Sequence, residues 1–211
     1  MPSSRRWKYL RSEIENLRVQ FLPNPFDPLG VYPEQTKVQA HARAFLVFCH
    51  AEFESYLEGL AKDIAKSSEN LWTSSTRISV PLQFLLVTRA KRISVPTKIE
   101  PGVKDVPQRL SDELTTLFQT FYTDINDNHG IKEHNILSLF GPLGINLGSL
   151  GPTLLPNLDS FGERRGDHAH HSVALIVTPL DPETEYMRAI NLATDLLGFD
   201  NWCSQTKRKI R

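Results

Sequence analysis

One long segment with helical periodicity, from about Glu34 to Lys66, constrains the fold of this chain more than any other feature. Apolar residues recur at three- and four-residue spacings along one side of the predicted helix, and a second apolar series follows an adjoining side. A helix that is apolar over so wide an arc has neighbours on more than one side. We therefore expect an all-α bundle built around this helix. The second series comprises Ala42, Leu46, Cys49, Phe53, Leu57, Leu60 and Ile64.

Shorter periodic segments predict the helices that surround the central one. The first is capped by Ser3 or Ser4 and runs to about Leu22. The last begins at Asp181-Pro182, a cap followed by a proline in the first turn, and ends near Leu197. The predicted helices between them start at Pro107 or Ser111 and end at Asn126, run from Lys132 to Phe140, and open at Leu158-Asp159-Ser160.

Residues 67–106 break this pattern, because hydroxyl side chains and prolines punctuate them. We expect an irregular insertion there that packs across the bundle, in which the apolar run Pro81–Val87 forms either a helix or a short strand. The β-branched run from Val173 to Val177 is predicted to be extended, and residues 203–211 are predicted to form a basic tail. The length of 211 residues fits a single domain over residues 1–211.

The charge balance limits how this chain can contact nucleic acid. Its 24 basic and 24 acidic residues give a formal net charge of zero, so only local basic patches can attract an RNA. The candidates are Arg5–Lys8, Arg89–Arg92 and Lys207–Arg211. No apolar stretch approaches the roughly 18–20 residues that cross a bilayer, and no glycine-rich phosphate loop or dinucleotide fingerprint predicts a cofactor. The two cysteines form no disulfide framework, so we expect a cytoplasmic protein.

The segment from Arg164 to His171 carries the densest chemistry in the chain, with two guanidinium groups, one carboxylate and three imidazoles. Imidazoles titrate near neutral pH, so they can both accept and donate protons. A guanidinium group stays charged and binds phosphate through a bidentate fork. These are the groups that phosphodiester cleavage needs when no metal takes part.

Within this segment, Arg165-Gly166-Asp167-His168-Ala169-His170 resembles the Arg-x4-6-His motif of the HEPN superfamily of helical bundles. Three other segments, residues 51–57, 130–136 and 141–145, resemble its RiboL-PSP-HEPN branch in the same order. The resemblance implies a HEPN-like bundle that cleaves RNA without a metal or other cofactor. The ribose 2′-hydroxyl attacks the adjacent phosphate, which leaves a 2′,3′-cyclic phosphate and a free 5′-hydroxyl.

The resemblance also implies the roles of individual residues. His170 is the acid or base, Arg165 or Arg164 clamps the phosphate, and Asp167 can orient an imidazole. The residue after the motif arginine is usually Asn, Asp or His in the family, whereas this chain has Gly166. Counting from Arg164 instead gives an Arg-x5-His spacing, which the family also allows, so the motif alone leaves the two arginines as alternatives.

Five further residues are predicted to support the site or to contact RNA. They are His168, His171, Glu52, His134 and Lys132. A carboxylate within the wide apolar arc of the central helix is costly unless it is paired, and an arginine of the motif helix is the expected partner of Glu52 or Glu54. A competing interpretation is a zinc site formed by His168, His170 and His171 with Asp167, which requires non-helical backbone.

Helix geometry predicts that the active site requires two chains. Positions 165 and 170 are about 140° apart around a regular helix, so they do not converge on one phosphate. The family resolves this by dimerising, and we expect a homodimer with a composite site. The resemblance further implies a toxin or effector in prokaryotic antiphage defence or a toxin–antitoxin pair, restrained by an antitoxin or defence-system partner. The alternative is a non-catalytic HEPN module that binds RNA, a nucleotide or a partner protein.

Overall fold

A computed structural model describes residues 3–89, 105–146, 151–170 and 179–210, with side chains described as far as residue 167 in the third range. These residues form helices and connecting turns, with no strand among them, which confirms the predicted all-α fold and its long central helix. The helices are α1 (Arg5–Phe21), α2 (Gln35–Ser75), α3 (Val80–Arg89), α4 (Val106–Asn126), α5 (Glu133–Phe140), α6 (Leu154–His170) and α7 (Pro182–Lys209). A short 3-10 turn covers Gly141–Leu143.

The 41-residue helix α2 is the centre of the bundle and packs against α1, α4, α6 and α7. Most of its apolar side chains are buried, although Phe48 is 48% exposed. Full burial of a large apolar side chain stabilises the fold by about 1.5–3 kcal/mol. Phe53 meets Phe161 of α6 edge to face, with ring centroids 5.2 Å apart. This contact fixes α6, and therefore the residues that follow Phe161, against the middle of α2.

The helix α2 is longer than the sequence predicts, because residues 67–75 are helical and do not form a loop. Hydroxyl side chains donate to backbone carbonyls one turn earlier, from Ser67 to Asp63 at 2.8 Å and from Ser75 to Leu71 at 2.7 Å. The predicted irregular insertion is thus wrong for residues 67–75. Of the two alternatives for Pro81–Val87, the structure has the helix, α3. Residues 90–104 lie outside the described residues.

The predicted basic tail is also wrong for the residues that the structure describes. Helix α7 continues to Lys209, and Ile210 is buried. Lys207 donates to Asp63 of α2 at 3.0 Å, and the same carboxylate accepts from Arg6 of α1 at 2.9 Å. One carboxylate therefore links three helices.

Two other boundaries differ from the sequence prediction, and one predicted segment cannot be compared. Helix α6 starts four residues earlier than expected, at Leu154. The cap of α4 is Asp105, whose side chain accepts from the Gln108 amide, and not Ser111. The extended segment predicted at Val173–Val177 lies outside the described residues.

A buried carboxylate holds the amino-terminal helix to the rest of the bundle. Asp200 of α7 is fully buried and accepts hydrogen bonds from the Ser4 backbone and hydroxyl and from the Tyr56 hydroxyl. Ser4 also caps α1 by accepting from the Trp7 amide at 3.1 Å. Burial and the charge of Asp200 raise the pKa of Tyr56, so this hydroxyl remains a donor at neutral pH.

Among the described residues, the helices lack the length and hydropathy that a membrane span requires.

Candidate functional site

A groove of about 520 Å³ opens between α2, the connection from α4 to α5, and α6. His50 of α2 forms part of its floor. One wall is the α4–α5 connection with the first turn of α5, and the other is the carboxyl-terminal half of α6. The first wall presents His129, Lys132, His134 and Asn135, and the second presents Glu163, Arg165, Gly166 and Asp167.

The two neighbouring arginines of α6 have different surroundings. Arg164 donates to Glu185 of α7 through Nε at 2.9 Å and through Nη2 at 2.5 Å. The Glu185 side chain is 0% exposed, so this ion pair neutralises a buried carboxylate and joins α6 to α7. The guanidinium of Arg164 is therefore already occupied by a carboxylate within the chain.

Arg165, one position further along the helix, lines the groove. Its Nε is buried and has no hydrogen-bond partner among the described residues. A buried donor without a partner costs free energy of about 1–3 kcal/mol, and no described residue offsets that cost for Arg165. Of the two arginines that the motif leaves open, Arg165 is the one whose guanidinium reaches the groove.

Beneath Arg165 lies the α2 histidine His50, which is 4% exposed. Its Nδ1 is 3.6 Å from Glu54 Oε2, one helical turn away. Burial and the positive charge of Arg165 lower the pKa of His50 to about 4, so this imidazole is neutral at pH 7. Burial and the charge of Glu58 raise the pKa of Glu54, while the charges of Arg165 and His129 oppose that shift.

We expect the stability of the protein to fall as the pH falls from about 6.5 towards 4, because an unfolded His50 binds a proton over this range and the native one does not. Replacing His50 with glutamine removes this contribution. The loss of unfolding free energy between pH 7 and about pH 4.5 should then be smaller than in the wild type by about 2 kcal/mol.

Urea unfolding at the two pH values measures this difference, and His134→Gln is the matched control at an exposed position of α5. An equal acid-side loss in the wild type and in His50→Gln would contradict the prediction.

The α4–α5 connection is held in place by side-chain amides. Asn128 donates to Glu58 of α2 at 2.9 Å, and Asn135 donates to Asn128 at 3.1 Å. The Lys132 backbone N–H donates to the side-chain Oδ1 of Asn135 at 3.1 Å. A side chain at Gly130 would come within 2.8 Å of Asn135 Oδ1, so glycine permits the close packing of this turn.

The structure brings several of the sequence-predicted residues to one place. Lys132, His134, Arg165 and Asp167 all line the groove. His170 belongs to the helical backbone of α6. The side chains of His168 and His170, and the whole of His171, lie outside the described part of the chain.

Glu52 lies elsewhere, so its expected pairing with a motif arginine is corrected. It lines a separate cavity of about 410 Å³ between α1 and α2, together with Arg5 and Tyr9. Residues two apart on a helix point about 160° apart around the axis. The α2 carboxylate on the groove side is therefore Glu54, and the carboxylate that pairs with a motif arginine is Glu185.

The groove contains two imidazoles that the sequence did not single out for this site. His50 belongs to the apolar arc of α2, and His129 belongs to a turn sequence, Asn126–Gly130. Residues so far apart in sequence become neighbours only through the packing of α2 against the α4–α5 connection. A single sequence carries no signal for that proximity.

Each predicted basic patch has one described residue that is engaged in an ion pair within the chain. Arg6 and Lys207 share Asp63. Arg89 pairs with Asp124 and lies over the Phe121 ring, 5.6 Å from its centroid. Residues 90–92 and Arg211 lie outside the described residues. These segments stabilise helix contacts, and the ones with a described ion pair are less available to RNA than their sequence suggests.

The described side chains contain no cluster of three or more His, Cys, Asp or Glu residues arranged to hold a metal ion. The histidines of the zinc interpretation, His168, His170 and His171, are outside the side chains described. The backbone is helical through His170, whereas that interpretation requires non-helical backbone.

Comparison with known proteins identifies the family of the chain. Neither the curated proteins nor the solved structures gave a match. The family model RiboL-PSP-HEPN matches residues 6–197, which include α1 to α6, the groove and most of α7. The chain therefore belongs to the RiboL-PSP-HEPN family of the HEPN superfamily.

Proposed function

We propose that this protein is a metal-independent RNA endonuclease that acts as a homodimer, with Arg165 as the phosphate clamp and His170 as the acid or base. One observation carries the proposal. The Arg165 guanidinium lines an open groove and its buried Nε has no partner among the described residues, whereas Arg164 is bound by Glu185.

The proposed reaction needs only the groups of the motif. The ribose 2′-oxygen forms a bond to the adjacent phosphorus, and the bond from phosphorus to the 5′-oxygen breaks. A base takes the 2′-hydroxyl proton and an acid protonates the leaving oxygen, for which histidine is suited near neutral pH. Arg165 stabilises the negative charge that develops on the phosphate oxygens. Asp167, exposed on the same wall, can orient an imidazole.

Helical geometry supports the composite site. The backbone of α6 is regular through His170, so positions 165 and 170 remain about 140° apart around the axis. In a two-fold dimer each motif meets its own copy, and the arginine of one chain can then face the histidine of the other. Gly166 lines the groove and leaves open space where a side chain would be, which permits another chain or an RNA strand to approach closely.

An unrestrained ribonuclease of this kind would damage the cell that makes it. We therefore propose a toxin or an effector of prokaryotic antiphage defence, acting on cytoplasmic RNA and restrained by an antitoxin or another defence-system protein. Family membership supports this role.

Incubation of the purified protein with total RNA and tRNA in the presence of EDTA tests the activity. We expect cleavage to persist in the chelator and to yield 2′,3′-cyclic phosphate and 5′-hydroxyl ends, because no step uses a metal. End-group analysis by phosphatase- and kinase-dependent labelling reads out both termini. Cleavage that disappears in EDTA and returns with zinc would support the metal site of His168, His170 and His171 instead.

A second candidate function is a non-catalytic module that binds RNA or a nucleotide. Gly166 favours it, because the residue after the motif arginine is usually polar in the family. Retention of labelled RNA by a dimer that yields no new ends in the same assay would favour this module over the enzyme.

A further inference from the structure

The wall of the groove opposite Arg165 is also cationic. Lys132 and His129 come from the α4–α5 connection and line the groove within the same chain. Lys132 reaches across to Glu163 of α6, with Nζ 3.6 Å from Oε1. His129 acts electrostatically on Glu54 of α2, where it opposes the rise in the pKa of that carboxyl group.

The position of Lys132 is built into the packing of the helices. A Cβ atom at Gly162 of α6 would lie 3.1 Å from Lys132 Cγ, so the lysine stem runs closely over this glycine. The backbone of Lys132 is fixed by Asn135, and Asn135 is fixed by Asn128. A cation presented on a fixed backbone loses little conformational entropy when it binds an anion.

The ion pair of Lys132 does not prevent this binding. The Glu163 side chain is 67% exposed, and exposed pairs of this kind contribute little to stability. A phosphate that approaches the groove can therefore exchange places with Glu163 at small cost.

The proposed function uses one phosphate, held by Arg165, whereas RNA carries a phosphate at every nucleotide step. We propose that Lys132 and His129 form a second subsite, which binds the phosphodiester next to the scissile one. This inference rests on the proposed function and adds a minimal substrate: two consecutive phosphates are bound by one chain.

Substrates of two lengths distinguish binding at this subsite from cleavage at the scissile phosphate. The test compares a dinucleoside monophosphate, which has only the scissile phosphate, with a trinucleoside diphosphate. Lys132→Met retains the stem over Gly162 and removes the charge, and His129→Asn retains a polar turn residue. We expect each change to raise KM about tenfold for the trinucleotide, since a hydrogen bond to a charged group is lost. For the dinucleotide, kcat and KM should stay at the wild-type values.

Lys62→Met is the matched control, because Lys62 is exposed on α2 and outside the groove lining. The subsite is overturned if Lys132→Met and His129→Asn raise KM equally for both substrates, or if they leave KM at the wild-type value for both. If the wild type cleaves neither short substrate, the proposed function fails only if total RNA and tRNA are left intact as well. Binding of the 2′-deoxy di- and trinucleotides then tests the subsite, which requires a preference for the trinucleotide that Lys132→Met removes and Lys62→Met retains.

Discussion

Arg165→Ala and His170→Ala are each expected to lower kcat for RNA cleavage by about 10²–10³-fold, because one removes the charge that stabilises the transition state and the other removes the acid or base. Arg165→Ala should lower the unfolding free energy far less than Arg164→Ala does, since no described residue accepts from its Nε. Single-turnover cleavage of a labelled RNA and thermal melting of each variant measure the two effects.

Mixing the two inactive variants tests the composite site. Random exchange of subunits makes half of the dimers mixed. In each mixed dimer, one of the two sites has both an intact arginine and an intact histidine. About one quarter of the wild-type activity should therefore return. The activity should follow the kinetics of subunit exchange. A mixture that forms mixed dimers and remains inactive would contradict a site shared between chains, and wild-type cleavage by either variant alone would contradict its assigned role.

The apolar pattern of the sequence predicts the main architecture, because helix periodicity depends on local spacing. Ser4, Asp181 and the wide apolar arc of α2 define elements that the structure confirms. The errors lie where tertiary packing buries or pairs polar residues. Ser68 is completely buried within α2, and Lys207 is bound by Asp63, yet a serine pair and a basic run both look like solvent-exposed loop in isolation.

The candidate site also divides into residues that the sequence identifies and residues that only tertiary packing identifies. The sequence identifies the α6 segment and, by resemblance, Lys132 and His134 near it. It does not distinguish Arg164 from Arg165, since that depends on Glu185, which lies on another helix. The predicted pairing of Glu52 with a motif arginine is wrong for a related reason. The registry of α2 against α6, which brings Glu54 and not Glu52 to the groove side, depends on Phe53 packing against Phe161.

The largest expected effect on stability comes from Arg164→Ala. It leaves the carboxylate of Glu185 buried at 0% exposure without its positive partner, and breaking a buried ion pair in this way costs about 3–5 kcal/mol. Urea unfolding followed by circular dichroism should show a lower midpoint. Cleavage should be lost only to the extent that the protein unfolds, because Arg164 is not assigned to the chemistry.

A double variant, Arg164→Met with Glu185→Leu, separates stability from chemistry. It replaces the pair with apolar side chains, and such replacements are often neutral or stabilising, so most of the lost unfolding free energy should return. Because Arg165 is unchanged, the double variant should also cleave RNA at a rate close to that of the wild type. A double variant that is folded and dimeric but inactive would instead make Arg164 the functional arginine. An Arg164→Ala protein with the wild-type urea midpoint would show that the pair with Glu185 does not stabilise the fold.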